Sequence, residues 1–228
     1  MKKTLFFSVL FLALWALPGC KGKQVESTSN TVFVSIQPLK YFIQYIADSA
    51  VQVKVLVPPG SSPEMFEPTP QQMAELTQAK AYFYIGLLDF EKGMEQKLMD
   101  NAKFRYIDLS QGLELIKGEF EHHQEHESHQ VHNHAVDPHT WMSVANARVM
   151  AKTIAQSLTT LFPERENEFN ANLNRLVAHI DSVDSVVRNI LSSSGRKTFV
   201  IYHPALGYYA RDYGLTQLSV EHEGKSPS

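Results

Sequence analysis

The chain has 228 residues, with 21 Lys and Arg against 24 Asp and Glu, a formal net charge of −3. That balance does not suit nucleic-acid binding, which asks for a basic face, and the length suits one full domain or two small lobes. Cys20 is the single cysteine, which excludes an intrachain disulfide.

Residues 1–20 read as a targeting segment. Lys2 and Lys3 precede an apolar run from Leu5 to Ala16, too short for a bilayer-spanning helix of roughly 20 residues. Leu17-Pro18-Gly19-Cys20 closes it and resembles the lipobox of bacterial lipoproteins, in which the cysteine is acylated and becomes the mature N-terminus. An uncleaved anchor helix is the alternative. Residues 21–30 are polar and read as a tether.

A β-α rhythm follows. Thr31 to Ile36 is a β-branched run that predicts a buried strand, Val51 to Val57, where Val alternates with Gln, Lys and Leu, predicts a second, and between them Pro38 opens a helix with Leu39, Phe42, Ile43 and Ile46 on one face. Pro58-Pro59-Gly60-Ser61-Ser62-Pro63 must be a loop, leading to Glu64. Thr69 and Pro70 supply a cap and a first helical residue for a helix over Gln71 to Ala79. Strands are predicted at Tyr82 to Ile85 and Phe104 to Leu109, with a helix over Glu91 to Asp100 between them. The expected fold class is α/β, two lobes with mostly parallel sheets joined by a long rigid helix, the second lobe incomplete. The first lobe spans residues 31–142. Ligands of such sheets lie beyond the carboxyl ends of the strands, where the loops holding Glu64 and His139 could meet.

Seven of the ten histidines fall between His122 and Trp141. His122, His123, His126, His129, His132 and His134 sit among Glu, Gln, Ser and Asn in a loop over residues 121–134. That composition suits a solvated, low-affinity metal collector; a polar linker with accidental histidines is the bland alternative. Asp137-Pro138-His139-Thr140-Trp141 differs. Proline restrains the backbone and Trp141 asks for burial, so His139 is held. Asp137 beside it suits a partner that orients the ring. A histidine satisfied by a backbone carbonyl is the alternative for His139.

Residues 143–194 read as a helical linker. A helix runs from Ser143 to Leu161 and Pro163 breaks it. Glu164 to Leu191 then carries Phe169, Leu173, Leu176, Ile180, Val183, Val187 and Ile190 in steps of four and three, one apolar stripe on a helix roughly 40 Å long. A spine packed along both lobes is expected, a coiled-coil seam being the alternative. Residues 195–228 make a partial second lobe. Thr198 to Tyr202 is a strand leading into His203-Pro204, Ala205 to Tyr213 a short helix capped by Gly214, and Leu215 to Val220 a last strand. Two strands cannot bury an independent core, so the lobe is either incomplete or finished by another chain.

Together VPPGSSPEMFEPTP (Val57 to Pro70), IGLLDFE (Ile85 to Glu91), DPHTWMS (Asp137 to Ser143), IYHPALGYYARDYGL (Ile201 to Leu215) and SVEHEGKSPS (Ser219 to Ser228) resemble the zinc or manganese substrate-binding proteins of bacterial ABC transporters. The histidine-rich loop before DPH resembles that of the zinc-uptake members, and members continue beyond the SPS segment, so the sequence resembles a C-terminally truncated one. The resemblance implies a metal between the lobes held by His139 and His203, delivery to a membrane permease, and a monomer lipid-anchored at Cys20 in the cell envelope, facing the periplasm or the exterior. The family's first ligand is usually histidine where this chain has Glu64. A carboxylate also binds zinc, so Glu64 joins the expected set. Zinc is the expected ion. Manganese is the alternative because oxygen ligands favour harder ions, and nickel and copper also bind imidazole. Two other readings are a zinc hydrolase with an open fourth position, and a surface metal buffer or adhesin that uses only the histidine tract.

Overall fold

The computed structural model describes residues 30–98, 105–117 and 136–221. The expectations at Cys20 and at the six tract histidines lie outside the described residues. Among these residues, no helix is long and apolar enough to cross a membrane.

The first lobe is a four-stranded parallel sheet in the order β2-β1-β3-β4, made of β1 (Thr31–Val34), β2 (Gln52–Val55), β3 (Ala81–Tyr84) and β4 (Arg105–Asp108). Every residue of β3 is buried, as expected where helices cover both faces of a parallel sheet. Alternation along the strands divides the core in two. Val32, Val34, Ala81 and Phe83 face α1 (Gln37–Ala47), α4 (Val144–Leu161) and α5 (Glu166–Ser194), meeting Leu39, Ile43, Met150, Ile154 and Phe169. Phe33, Tyr82 and Tyr84 point the other way, towards Leu76 and Met94 of α2 (Pro70–Leu76) and α3 (Asp89–Leu98).

Helix boundaries follow local chemistry. Thr69 and Gln72 form a reciprocal capping box at the start of α2, and Gln72 also donates to the Leu56 carbonyl at 2.9 Å. α2 ends at Leu76, three residues before the sequence expectation, where the Thr77 hydroxyl bonds the Ala74 carbonyl. α3 begins two residues earlier than expected. Asp89 opens it, while Glu91 turns back to accept from the Ile85 and Leu88 N–H groups at 2.9 and 3.2 Å. Ser143 caps α4 by accepting from the Asn146 N–H. Pro163–Arg165 is a one-turn 3-10 helix, so α5 starts at Glu166; Gly195 ends it at φ +62°, a conformation that favours glycine.

At 29 residues α5 is roughly 44 Å long. Its apolar stripe is covered only in part. Phe169 and Leu176 are buried against the first lobe, whereas Val183 and Ile190 stand exposed. Beyond α5, β5 (Thr198–Ile201) and β6 (Thr216–Ser219) pair in parallel across α6 (Gly207–Tyr213), which starts two residues later than the sequence suggests. Val200, Tyr202, Leu218 and Val220 are exposed on this two-stranded sheet.

Candidate metal centre

Three side chains from separate parts of the chain converge beyond the carboxyl ends of the strands. Glu64 lies in a one-turn 3-10 helix, Pro63–Met65, after the proline-rich loop that follows β2. His139 precedes the one-turn helix Thr140–Met142, and its ring packs 5.2 Å from that of Trp141. His203 lies two residues past the end of β5. Glu64 Oε1 is 3.1 Å from His203 Nε2 and 3.6 Å from His139 Nε2, and the two Nε2 atoms are 3.2 Å apart. Among the described residues, the cluster able to hold a metal consists of these three.

Each imidazole is backed by a carboxylate. Asp137 Oδ1 lies 2.8 Å from His139 Nδ1 and also accepts from the His139 backbone N–H at 2.9 Å. Glu221 Oε2 lies 2.9 Å from His203 Nδ1. An ionised carboxylate can only accept, so each Nδ1 donates, and a ring that carries no second proton turns its Nε2 lone pair towards Glu64. Three acceptors then face one another. A positive charge between them, from a proton or a metal ion, removes the repulsion. The spacing suits a metal. Zinc binds imidazole nitrogen at about 2.0–2.1 Å and carboxylate oxygen at about 2.0–2.2 Å, which gives tetrahedral ligand-to-ligand edges of about 3.3–3.5 Å. The three observed separations bracket that range.

The second lobe also holds the His139 loop from behind. Tyr208 of α6 donates its hydroxyl to the Asp137 carbonyl at 2.8 Å and accepts from the Ile116 N–H at 3.1 Å. Residue 207 must be glycine for this approach, because a Cβ there would lie 2.8 Å from Asp137 Oδ2. Arg211 donates to the Glu114 carbonyl at 2.7 Å, and Asp212 accepts from the capping hydroxyl of Ser143 at 2.5 Å. Thus α6 ties β5 and β6 to both the Asp137 turn and the start of α4.

Glu64, Asp137, His139 and His203 were all singled out by sequence, and the structure brings them together. Glu221 was missed. Its sequence signals were its place in the SVEHEGKSPS segment and its position just past a strand, which the structure sets parallel to the strand that precedes His203.

A family profile described as "ZnuA: Zinc-uptake complex component A periplasmic" matches residues 32–228. The chain belongs to the ZnuA family. The zinc-binding protein AdcA of Streptococcus pyogenes is 29% identical over 236 residues, covering 96% of this chain and 45% of AdcA. The zinc-binding lipoprotein AdcA of Streptococcus pneumoniae is 27% identical over 230 residues, covering 100% of this chain and 45% of its own length. The chain therefore spans about half the length of these relatives. A crystal structure of ZnuA superimposes with a TM-score of 0.77 at 35% identity, over 88% of this chain and 73% of that one. A 138–173 deletion mutant of ZnuA with zinc bound gives 0.75 at 34% identity, with the same coverages. The α/β fold with parallel sheets and a long helix is that of the ZnuA-like metal-binding proteins.

Proposed function

We propose that this ZnuA-family chain captures zinc between its two lobes through Glu64, His139 and His203 and delivers it to a membrane permease. The observation that carries the reading is the meeting of three ligand atoms at tetrahedral-edge spacing, one of them from the second lobe. Its role is binding rather than hydrolysis. The two nearby carboxylates that could serve as a general base, Asp137 and Glu221, are engaged behind the rings. The tract of His122, His123, His126, His129, His132 and His134 collects zinc weakly. Ordering a polar loop costs about 1–2 kcal/mol per residue in backbone entropy, which a pre-formed cleft avoids. Acylation of Cys20 anchors the protein at the membrane surface, as the run ahead of it suggests. Manganese is the second reading, favoured by the Glu64 oxygen where the family resemblance implies imidazole.

Zinc and manganese titrations of the mature chain, with and without residues 121–134, test the cleft. Deletion should remove the weak equivalents and leave one tight site. His139→Ala and His203→Ala should each weaken that site by at least about 100-fold, the effect of losing a ligand exceeding the 10–100-fold typical of an outer partner. Glu64→Ala should weaken it too, and Glu64→His should keep zinc while lowering manganese affinity further. Unchanged affinity in His203→Ala sinks the two-lobe site, and a tight site lost with the tract moves zinc to the loop. Manganese bound more tightly than zinc decides for the second reading. Anchoring is checked separately: the protein should partition into detergent, and Cys20→Ser should stay in the aqueous phase. A membrane-bound Cys20→Ser protein with its N-terminus uncleaved would mean an anchor helix instead.

A further inference from the structure

We infer that Glu221 is a positioning residue for metal capture, holding the His203 ring in the tautomer and orientation that present Nε2 to the cleft. The inference rests on the cleft reading above. It begins in the backbone. The β5–β6 pairing continues past both strands, with the Val220 N–H donating to the Ile201 carbonyl and the Glu221 N–H to the Tyr202 carbonyl, each at 2.9 Å. That register sets Glu221 beside His203, and its Oε2 reaches Nδ1 at 2.9 Å. The Glu221 side chain is only 14% exposed, so water competes little for its oxygens.

The arrangement mirrors Asp137 behind His139, but the two imidazoles are not equally supported. The His139 side chain is 9% exposed, lies against Trp141, and has a partner that also binds its own backbone N–H. His203 is 35% exposed. With less packing around it, the His203 ring depends more on Glu221, the carboxylate at its Nδ1. In water a neutral imidazole is free to carry its proton on either nitrogen and to turn about χ2. The Glu221 bond requires the proton on Nδ1, leaves the Nε2 lone pair for the metal, and makes that nitrogen a stronger base. Each lobe thereby brings its own ligand and its own orienting carboxylate. The second lobe's pair is made just past the ends of β5 and β6, so it needs no residue of the first lobe.

The test uses the full chain without residues 121–134, zinc alone as ligand, and competition against a chromophoric chelator. Glu221→Ala should lower zinc affinity 10–100-fold, the range typical of such outer partners. Glu221→Gln keeps an oxygen that accepts from Nδ1–H and should recover most of the loss. Thermal midpoints of the three metal-free proteins should coincide, which a merely structural role would not allow. Nitrogen-15 spectra of the histidine rings in metal-free, unaltered protein should show His203 protonated at Nδ1, and in Glu221→Ala a shift towards Nε2. Wild-type zinc affinity in Glu221→Ala overturns the inference, as does a His203 ring protonated at Nε2 and not at Nδ1 in the unaltered protein. If the unaltered protein has no tight zinc site, the cleft reading itself falls and the inference falls with it.

Discussion

Glu91 sits in the first lobe with no exposed surface. Its two oxygens take the backbone N–H groups of Ile85 and Leu88, which the end of β3 leaves without sheet partners. It thereby fixes the turn into α3 at the same end of the sheet as Glu64. Burial pushes its carboxyl above the ordinary value of 4.5, and hydrogen bonds from Ser35 and from the backbone of Ile85, Leu88 and Gly86 only partly offset this. A raised pKa means that the folded state holds the proton more tightly than the unfolded chain. Stability from this group is therefore fully present below about 4.5 and is lost as pH rises through the folded-state value. Glu91→Gln removes the titration while keeping an acceptor. Urea unfolding of metal-free protein between pH 4 and 7 should show the stability difference, variant minus wild type, growing with pH. Any packing cost of the amide is the same at every pH, so a constant difference would mean that Glu91 is not charged at a cost.

At the scale of elements, what the sequence made legible was local. Thr69, Pro70 and Gln72 announce the start of α2 because a cap, a fixed φ and a reciprocal side-chain bond are all decided within four residues. Burial of β1 was readable from the β-branched run at Thr31, whereas β2, where Val alternates with Gln and Lys, is fully buried only at Val53. The order β2-β1-β3-β4 was not, because no residue pattern says which strand the chain crosses. The stripe on α5 is the instructive case. Its period runs unbroken from Phe169 to Ile190, yet Leu176 is buried and Ile190 is 60% exposed. Periodicity reports which face is apolar; what lies across that face is a tertiary fact. The same division holds at the metal centre. His139 and His203 stood out by motif, but their approach to 3.2 Å depends on α4 and α5 returning the chain over the first lobe. Glu221 lies in the SVEHEGKSPS segment, but nothing in that segment says that its carboxylate meets His203; that follows from the register of β5 and β6.

The two lobes of the whole molecule differ in how they are held. The first has a core on both faces of its sheet. The second presents Val200, Tyr202 and Leu218 openly and hangs on α5, on the α6 bonds to Asp137, Glu114 and Ser143, and on the meeting of His203 with Glu64 and His139. Few buried apolar groups and an open sheet mean that β5 and β6 should separate locally at a lower free energy than β1 or β3. A zinc ion bound by His203 and by two first-lobe residues must be released before the second lobe can open in that way. Binding therefore adds RT ln(1 + [L]/Kd) to the opening free energy, about 2.7 kcal/mol at a free zinc concentration 100 times Kd. Hydrogen exchange of the tract-deleted protein should accordingly slow about 100-fold at residues 198–221 when zinc reaches that level. Residues 31–34 and 81–84, which exchange through opening of the first lobe, should change less. The His203→Ala protein should lose the zinc-dependent slowing while keeping its metal-free rates in the first lobe. Equal exchange at residues 198–221 with and without zinc would mean that the ion is held by the first lobe alone and that the second does not close on it.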